Sequence, residues 1–130
     1  MAASTRYLVK GSNKIVINVT GAFSGADETD TVLVDLSTLV GPDGTPPTAV
    51  KIDEFTWAIS PGFDAVVLEW EHTTDDIVDN FAGQGYIDYR SVSGKNDPRS
   101  AGGTGDLILT TIGGAANDTY SFLIRATLKD

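Results

Sequence analysis

The fold class is decided by the stretch YSFLIRATL, residues Tyr120–Leu128. Every second residue in it is apolar, from Tyr120 through Phe122, Ile124 and Ala126 to Leu128. A period of two places these side chains on one face of an extended strand, whereas a helix needs spacings of three and four. The stretch therefore predicts a β-strand with one buried face.

The same alternation recurs along the rest of the chain. Four further runs show it: Ile15, Ile17 and Val19; Val32, Val34 and Leu36; Phe55, Trp57 and Ile59; Val66, Leu68 and Trp70. Turn-forming residues separate the runs, and Pro61–Asp64 has the length of a hairpin link. Because no segment is long enough for a crossover helix, a parallel α/β sheet is disfavoured. The pattern predicts eight or nine strands in one all-β domain, a jelly-roll-like β-sandwich over residues 15–130.

One segment departs from the alternation. Residues 73–81 place Ile77, Val78 and Phe81 at spacings of three and four, which predicts a helical turn.

Composition bounds the classes of function. The chain has 130 residues, no cysteine and a net charge of −9, so thiolate zinc sites and disulfides are excluded. The acidic body, residues 21–88, carries Lys51 as its one basic residue, and it would be repelled by nucleic acid. We expect neither a signal peptide nor a membrane-spanning segment.

The start of the chain is basic, since residues 1–20 carry Arg6, Lys10 and Lys14 and no acidic residue. Chain ends usually fray, and three ordinary surface charges are the simpler interpretation. The alternative is an N-terminal arm over residues 1–14 that docks on an acidic partner.

The sequence predicts no catalytic residue. His72 is the single histidine, and we interpret it as a surface residue near carboxylates, because no nucleophile-elbow pattern accompanies it. The acidic residues around 64–79 could pair as in glycosidases, but the chain has only two tryptophans to line a sugar cleft. Trp57 and Trp70 both lie in step with apolar strand faces, which favours a place in the core. We therefore expect that the protein is not an enzyme.

No cofactor or metal centre is predicted either. Two acidic loops could offer oxygen ligands to calcium, Asp27, Glu28 and Asp30 in one and Asp75, Asp76 and Asp79 in the other. Neither matches the spaced Asp-x-Asp-x-Asp-Gly loop, so a solvated acidic surface is the simpler interpretation. The Gly103–Asp106 stretch lacks the lysine of a phosphate-binding loop and predicts a turn.

The second half of the chain resembles a known group of proteins. Its pieces, in order, are WAI at residues 57–59, VVLEW at 66–70, GQGYID at 83–88, GTGDLILTT at 103–111 and YSFLIRATLK at 120–129. This order, over roughly residues 50–130, is similar to small virion structural proteins of tailed bacteriophages. The resemblance implies a capsid decoration (cement) protein, made in the host cytoplasm, that binds the major capsid protein, self-associates on the shell and carries no cofactor.

The expected capsid contacts are basic residues at two places. They are Arg6, Lys10 and Lys14 near the start, and Lys95 and Arg99 in the loop over residues 93–103. Two alternatives remain open: a minor tail or neck component of the particle, and a β-sandwich module that binds carbohydrate or a receptor through exposed aromatic side chains. The candidates for the latter are Phe23, Phe63, Tyr86 and Tyr89.

Overall fold

The structure, a computed structural model, describes residues 3–130, and strands dominate this part of the chain. Nine strands are present: β1 (Ser4–Lys10), β2 (Lys14–Ala22), β3 (Thr31–Val34), β4 (Ala49–Ile59), β5 (Ala65–Trp70), β6 (Asp76–Phe81), β7 (Gln84–Asp88), β8 (Leu107–Ile112) and β9 (Thr119–Lys129). Two short 3-10 helices lie at Leu36–Thr38 and Arg90–Val92. The all-β prediction is confirmed. Within residues 3–130, no helix is long and apolar enough to cross a membrane.

The strands form two antiparallel sheets that pack as a sandwich. Sheet A has the order β1-β2-β9-β4-β7, and sheet B has the order β3-β8-β5-β6. Only the β1–β2 and β5–β6 pairs join consecutive strands, and every other connection crosses from one sheet to the other. Strands β2 to β9, interleaved in this way as two four-stranded sheets, have the connectivity of a jelly roll. Strand β1 is an addition at the edge of sheet A.

The short link between β4 and β5 has the length of a hairpin link, as the sequence indicates, but it joins strands of different sheets. Pro61–Asp64 does not close a hairpin, because β4 lies in sheet A and β5 in sheet B. The link turns a corner between the sheets, with Phe63 buried beneath it and the Asp64 amide donating to the Ile112 carbonyl at 2.9 Å. A corner of four residues uses the same Pro and Gly turn chemistry as a hairpin, so the sequence alone does not separate them.

The predicted helical turn over residues 73–81 is wrong, since Asp76–Phe81 is strand β6. The pairing with β5 shifts between Leu68 and Glu69, so that Val78 has no partner in the register. This β-bulge moves the alternation by one residue. Val78 and Phe81 consequently both face the core although they are three residues apart, a spacing that imitates a helix face.

Aromatic rings join the sheets at the centre of the core. Phe81 of sheet B lies 4.9 Å from Phe55, 4.9 Å from Trp57 and 5.3 Å from Phe122, all of sheet A, measured between ring centroids. Trp70 is buried, and its Nε1 donates to the Val50 carbonyl at 3.0 Å. The predicted core place of Trp70 is confirmed, while Trp57 is half-buried at the rim.

The long loop between β7 and β8 is fixed to the sandwich by backbone hydrogen bonds. Lys95 and Ile52 exchange bonds of 2.8 and 2.9 Å. Farther along the loop, the Thr73 amide donates to the Ala101 carbonyl at 3.2 Å, and the Gly105 amide donates to the Glu71 carbonyl at 2.8 Å. The loop therefore packs against the residues that connect β5 and β6, and it does not project into solvent.

The N-terminal segment is part of the sheet in its described portion. Residues 4–10 form β1, which pairs antiparallel with β2 from Ser4 opposite Thr20 to Lys10 opposite Ile15. Tyr7 packs against the core from this strand, and Lys14 already belongs to β2. Over residues 4–10 the segment predicted as a possible arm is therefore an edge strand, with the half-buried Tyr7 packed against the core. Residues 1 and 2 lie outside the described residues.

Candidate functional site

The five basic residues predicted as contacts separate into two groups. Lys14, Lys95 and Arg99 are engaged within the chain. Lys14 Nζ donates to Thr127 Oγ1 at 2.6 Å, and Lys95 Nζ lies 3.6 Å from Asp79 Oδ2. Arg99 donates to Thr48 Oγ1 at 2.9 Å and to the Asp130 carbonyl at 3.0 Å. Lys14 and Lys95 each pair with a carboxylate, whereas Arg99 has hydrogen bonds to neutral groups only, so all three side chains have intrachain partners.

Arg6 and Lys10 remain available on β1. Both are exposed, and neither forms an ion pair within residues 3–130. Lys10 Nζ lies 5.0 Å from the centroid of the Tyr7 ring. A cation at this distance from an aromatic face is attracted to it but keeps its charge toward water.

Strand β1 also exposes apolar side chains. Leu8 is 52% exposed and Val9 is 49% exposed. A bulge between Tyr7 and Val9 interrupts the register with β2. The other side of β1 has no strand beside it within the described chain, so its backbone amides and carbonyls are open to a partner. We call Arg6, Leu8, Val9 and Lys10 the β1 edge.

The aromatic residues proposed for sugar binding are mostly inside the protein. Phe63 is buried, and Phe23 and Tyr89 are half-buried against the core. Tyr89 also donates its hydroxyl to Asp79 at 2.8 Å, and the pKa of Tyr89 is raised by burial and by that carboxylate. Only Tyr86, 57% exposed on the outer face of sheet A, offers a ring to solvent among the four. One exposed ring is a weak platform for a sugar.

The interpretation of His72 as a surface residue was wrong. Its ring is buried, with Nδ1 2.9 Å from the Gly102 carbonyl and Nε2 2.7 Å from Asp97 Oδ1. Nε2 also lies 3.8 Å from Asp76 Oδ2. Burial lowers the pKa of His72, but the hydrogen bonds to Gly102 and Asp97 and the two carboxylate charges outweigh burial and raise the pKa above its ordinary value. Sequence reasoning missed this cluster because its members lie 25 and 30 residues apart along the chain.

The acidic residues considered for calcium have mainly structural partners. Asp27 accepts from the amides of Gly113 and Gly114 at 3.0 and 2.9 Å. Glu28 accepts from the Tyr120 hydroxyl, and burial together with that carboxylate raises the pKa of Tyr120. These bonds fix the loop before β3 against the start of β9, so neither carboxylate is free to take an ion.

Asp30 and Asp75, one from each predicted loop, come together with Glu69. Their carboxylate oxygens lie within 4.8 Å of one another. Burial, followed by the charges of Asp75 and Asp30, raises the pKa of Glu69. The group is partly exposed to water, and exposed acidic clusters of this kind are common without any ion.

The raised pKa of Glu69 predicts a pH-dependent effect on stability. A carboxyl whose folded pKa is raised stabilises the fold below its unfolded pKa, and this contribution is lost as the pH rises through the folded pKa. We expect Glu69→Gln to raise the free energy of unfolding at pH 7 by about 0.5 kcal/mol or less, since solvent screens the cluster. Urea unfolding should find no gain at pH 3.

Glu71→Gln is the matched control, because the pKa of Glu71 is lowered by hydrogen bonds from the Thr104 hydroxyl and amide. This substitution should destabilise the fold at pH 7. A loss of stability in both variants would contradict the assignment of repulsion to the Asp30–Glu69–Asp75 group.

Comparisons of the chain with known proteins identified no relative. No protein-family model matches the chain, and no curated protein or solved structure is significantly similar to it. The resemblance to phage virion proteins therefore stays an expectation from the sequence.

Proposed function

We propose that this chain is a structural virion protein, a capsid decoration protein that binds the shell of a tailed bacteriophage and stabilises it. The observation that supports this best is the β1 edge, where exposed cations and aliphatic side chains meet on a domain whose net charge is −9. The jelly roll is an architecture of viral capsid domains and of lectins. Of the aromatic candidates for a lectin-like site, Tyr86 alone is exposed.

The β1 edge offers three kinds of contact to one partner. Arg6 and Lys10 would face carboxylates on the capsid protein, and the same charges would orient the approaching domain. Leu8 and Val9 would supply apolar area, and the open backbone of β1 can pair with a strand of the partner. The acidic remainder of the domain would point away from an acidic capsid surface.

Stabilisation of the shell would follow from repetition. A single edge contact contributes only a few kcal/mol, but a closed shell presents the same site at every symmetry-related position. A domain that lies across a joint between subunits adds interface area there, and release of one subunit would require several such contacts to break. The proposed role is mechanical and uses no catalytic residue.

Self-association on the shell would use a different surface. Val32, Ile77 and Ile112 are exposed on the outer face of sheet B, and burial of this face between neighbouring copies would be favourable. The Asp30–Glu69–Asp75 group borders it, and like charges on two copies would oppose close approach. We therefore propose that the β1 edge, and not self-association, provides most of the binding energy.

Reversing one charge on the β1 edge tests the assignment. We expect Arg6→Glu to weaken binding to particles depleted of the protein by about tenfold or more, because arginine is enriched among interface hot spots, whose loss costs about 2 kcal/mol or more, and about 1.4 kcal/mol is a factor of ten in affinity. Sedimentation of the protein with depleted particles, over a concentration series, measures the affinity.

Lys129→Glu is the matched control, since Lys129 is an exposed cation on another strand and has no ion pair within residues 3–130. It should bind like the unmodified protein. Equal losses for the two variants, or no loss for Arg6→Glu, would remove the β1 edge as the contact.

A further inference from the structure

His72, Asp76 and Asp97 form a group, with His72 and Asp97 buried and Asp76 partly exposed, that the fold brings together from three places. His72 follows β5, Asp76 begins β6, and Asp97 lies in the long loop before β8. His72 Nε2 is 2.7 Å from Asp97 Oδ1 and 3.8 Å from Asp76 Oδ2, and one ligand atom from each residue lies within 4.8 Å of the other two. The Asp97 side chain is 0% exposed.

The carboxylates of this group have unused hydrogen-bonding capacity. Among residues 3–130, Asp76 Oδ2 and Asp97 Oδ2 are the two buried side-chain polar atoms without a hydrogen-bond partner. Both belong to the residues that surround His72 Nε2. A buried carboxylate oxygen with no donor costs free energy, so two such oxygens on the two carboxylates that contact one ring nitrogen point to a cation.

The hydrogen bond of Nδ1 to the Gly102 carbonyl orients the His72 ring so that Nε2 faces the two carboxylates. The Gly102 carbonyl can only accept, so Nδ1 carries the proton of that 2.9 Å hydrogen bond. Nε2 donates its own proton to Asp97 Oδ1 at 2.7 Å, and an ion that replaces this proton would meet the Nε2 lone pair of a neutral ring between Asp97 and Asp76. Histidines that bind metals usually donate their other N–H to a carbonyl or carboxylate in this way.

Charge balance favours a divalent ion over a proton. An imidazolium beside two carboxylates leaves one negative charge uncompensated in a group whose Asp97 carboxylate is fully buried, which is unfavourable. A divalent ion with a neutral imidazole and two carboxylates sums to zero. The ion would lie about 2.0–2.2 Å from each ligand atom, in place of the Nε2 proton.

We propose that His72 Nε2, Asp76 and Asp97 bind a divalent first-row transition metal ion, for which Zn²⁺ is the test ion. One imidazole and two carboxylates are a nitrogen and oxygen donor set that suits such ions. Asp76 is partly exposed, so the ion reaches the site from its side, where water completes the coordination. The inference rests on these contacts and not on the proposed capsid role.

The ion would fasten the long loop to the body of the sandwich. Asp97 and Gly102 belong to that loop, whereas His72 and Asp76 flank the β5–β6 turn. Because the unfolded chain has no preformed site, binding would stabilise the folded state in proportion to the logarithm of the ion concentration.

Zinc titration of the untagged full chain tests the proposal. After treatment with a chelator and dialysis, isothermal titration calorimetry should find one Zn²⁺ per chain, and the Tm should rise with zinc concentration. Co²⁺ in place of Zn²⁺ should give a visible absorption band that zinc removes. Absence of a one-to-one complex would overturn the proposal without bearing on capsid binding.

Variants locate the ion. Asp97→Asn and His72→Gln should weaken zinc binding by more than about tenfold. Asp76→Asn should also weaken zinc binding by more than about tenfold. Because Asp76 is partly exposed, this variant is expected to fold even if the variants of the buried His72 and Asp97 do not. Asp30→Asn, an equivalent change in the exposed acidic group, is the control and should leave the affinity unchanged. Unchanged affinity in Asp76→Asn would overturn the assignment.

Discussion

Replacing Phe81 by alanine is expected to lower the free energy of unfolding by about 3–5 kcal/mol. Phe81 is buried, and its ring contacts Phe55, Trp57 and Phe122 across the two sheets. The variant therefore leaves a cavity between the sheets and loses three ring contacts. Urea unfolding followed by tryptophan fluorescence measures the change.

The control for this prediction is Ile77→Ala on the same strand. Ile77 is 56% exposed on the outer face of sheet B, and its truncation should cost less than about 1 kcal/mol. If residues 73–81 formed a helical turn, Ile77, Val78 and Phe81 would share one buried face and the two variants would cost similar amounts. Equal costs would therefore contradict strand β6 and its bulge.

The second large effect is expected at Gly103 in the long loop. Gly103 has a φ of +69°, and a Cβ built there would lie 2.4 Å from His72 Cα and 2.6 Å from the Glu71 carbonyl oxygen. Alanine at this position combines a left-handed backbone with a clash against backbone atoms that cannot rotate away. We expect Gly103→Ala to cost about 2–4 kcal/mol in unfolding free energy.

Gly44→Ala separates the two contributions. Gly44 has a φ of +85°, but nothing lies within 4 Å of a Cβ built on it. Its substitution should cost only the backbone term, about 1 kcal/mol. If Gly103→Ala and Gly44→Ala gave the same loss in chemical denaturation, the long loop would not pack on residues 71 and 72 as described.

Much of the fold follows from local pattern. The alternation in Tyr120–Leu128 identifies β9, because each half-buried strand has to place its apolar residues on one side. The connections do not follow, since Pro61–Asp64 looks the same whether it closes a hairpin or turns a corner between sheets. The bulge at Val78 makes a strand resemble a helix in sequence, because one extra residue changes the spacing of core-facing residues from two to three.

The candidate sites were predictable only in part. Exposed basic residues near the chain start are visible in the sequence, but the intrachain partners that occupy Lys14, Lys95 and Arg99 are not. The group around His72 forms because the loop between β7 and β8 folds back so that Asp97 contacts His72. No local sequence pattern predicts this long-range contact. Composition indicated no thiolate site, yet it carries no information on a mixed imidazole and carboxylate group.

We propose that this protein is a component of a phage shell. Quantitative mass spectrometry of particles purified from its source tests this directly, with the major capsid protein as the internal reference. We predict a copy number equal to that of the major capsid protein or a simple fraction of it, on the order of hundreds per particle. A handful of copies would place the protein in the tail or neck, and its complete absence from the particles would contradict the virion assignment altogether.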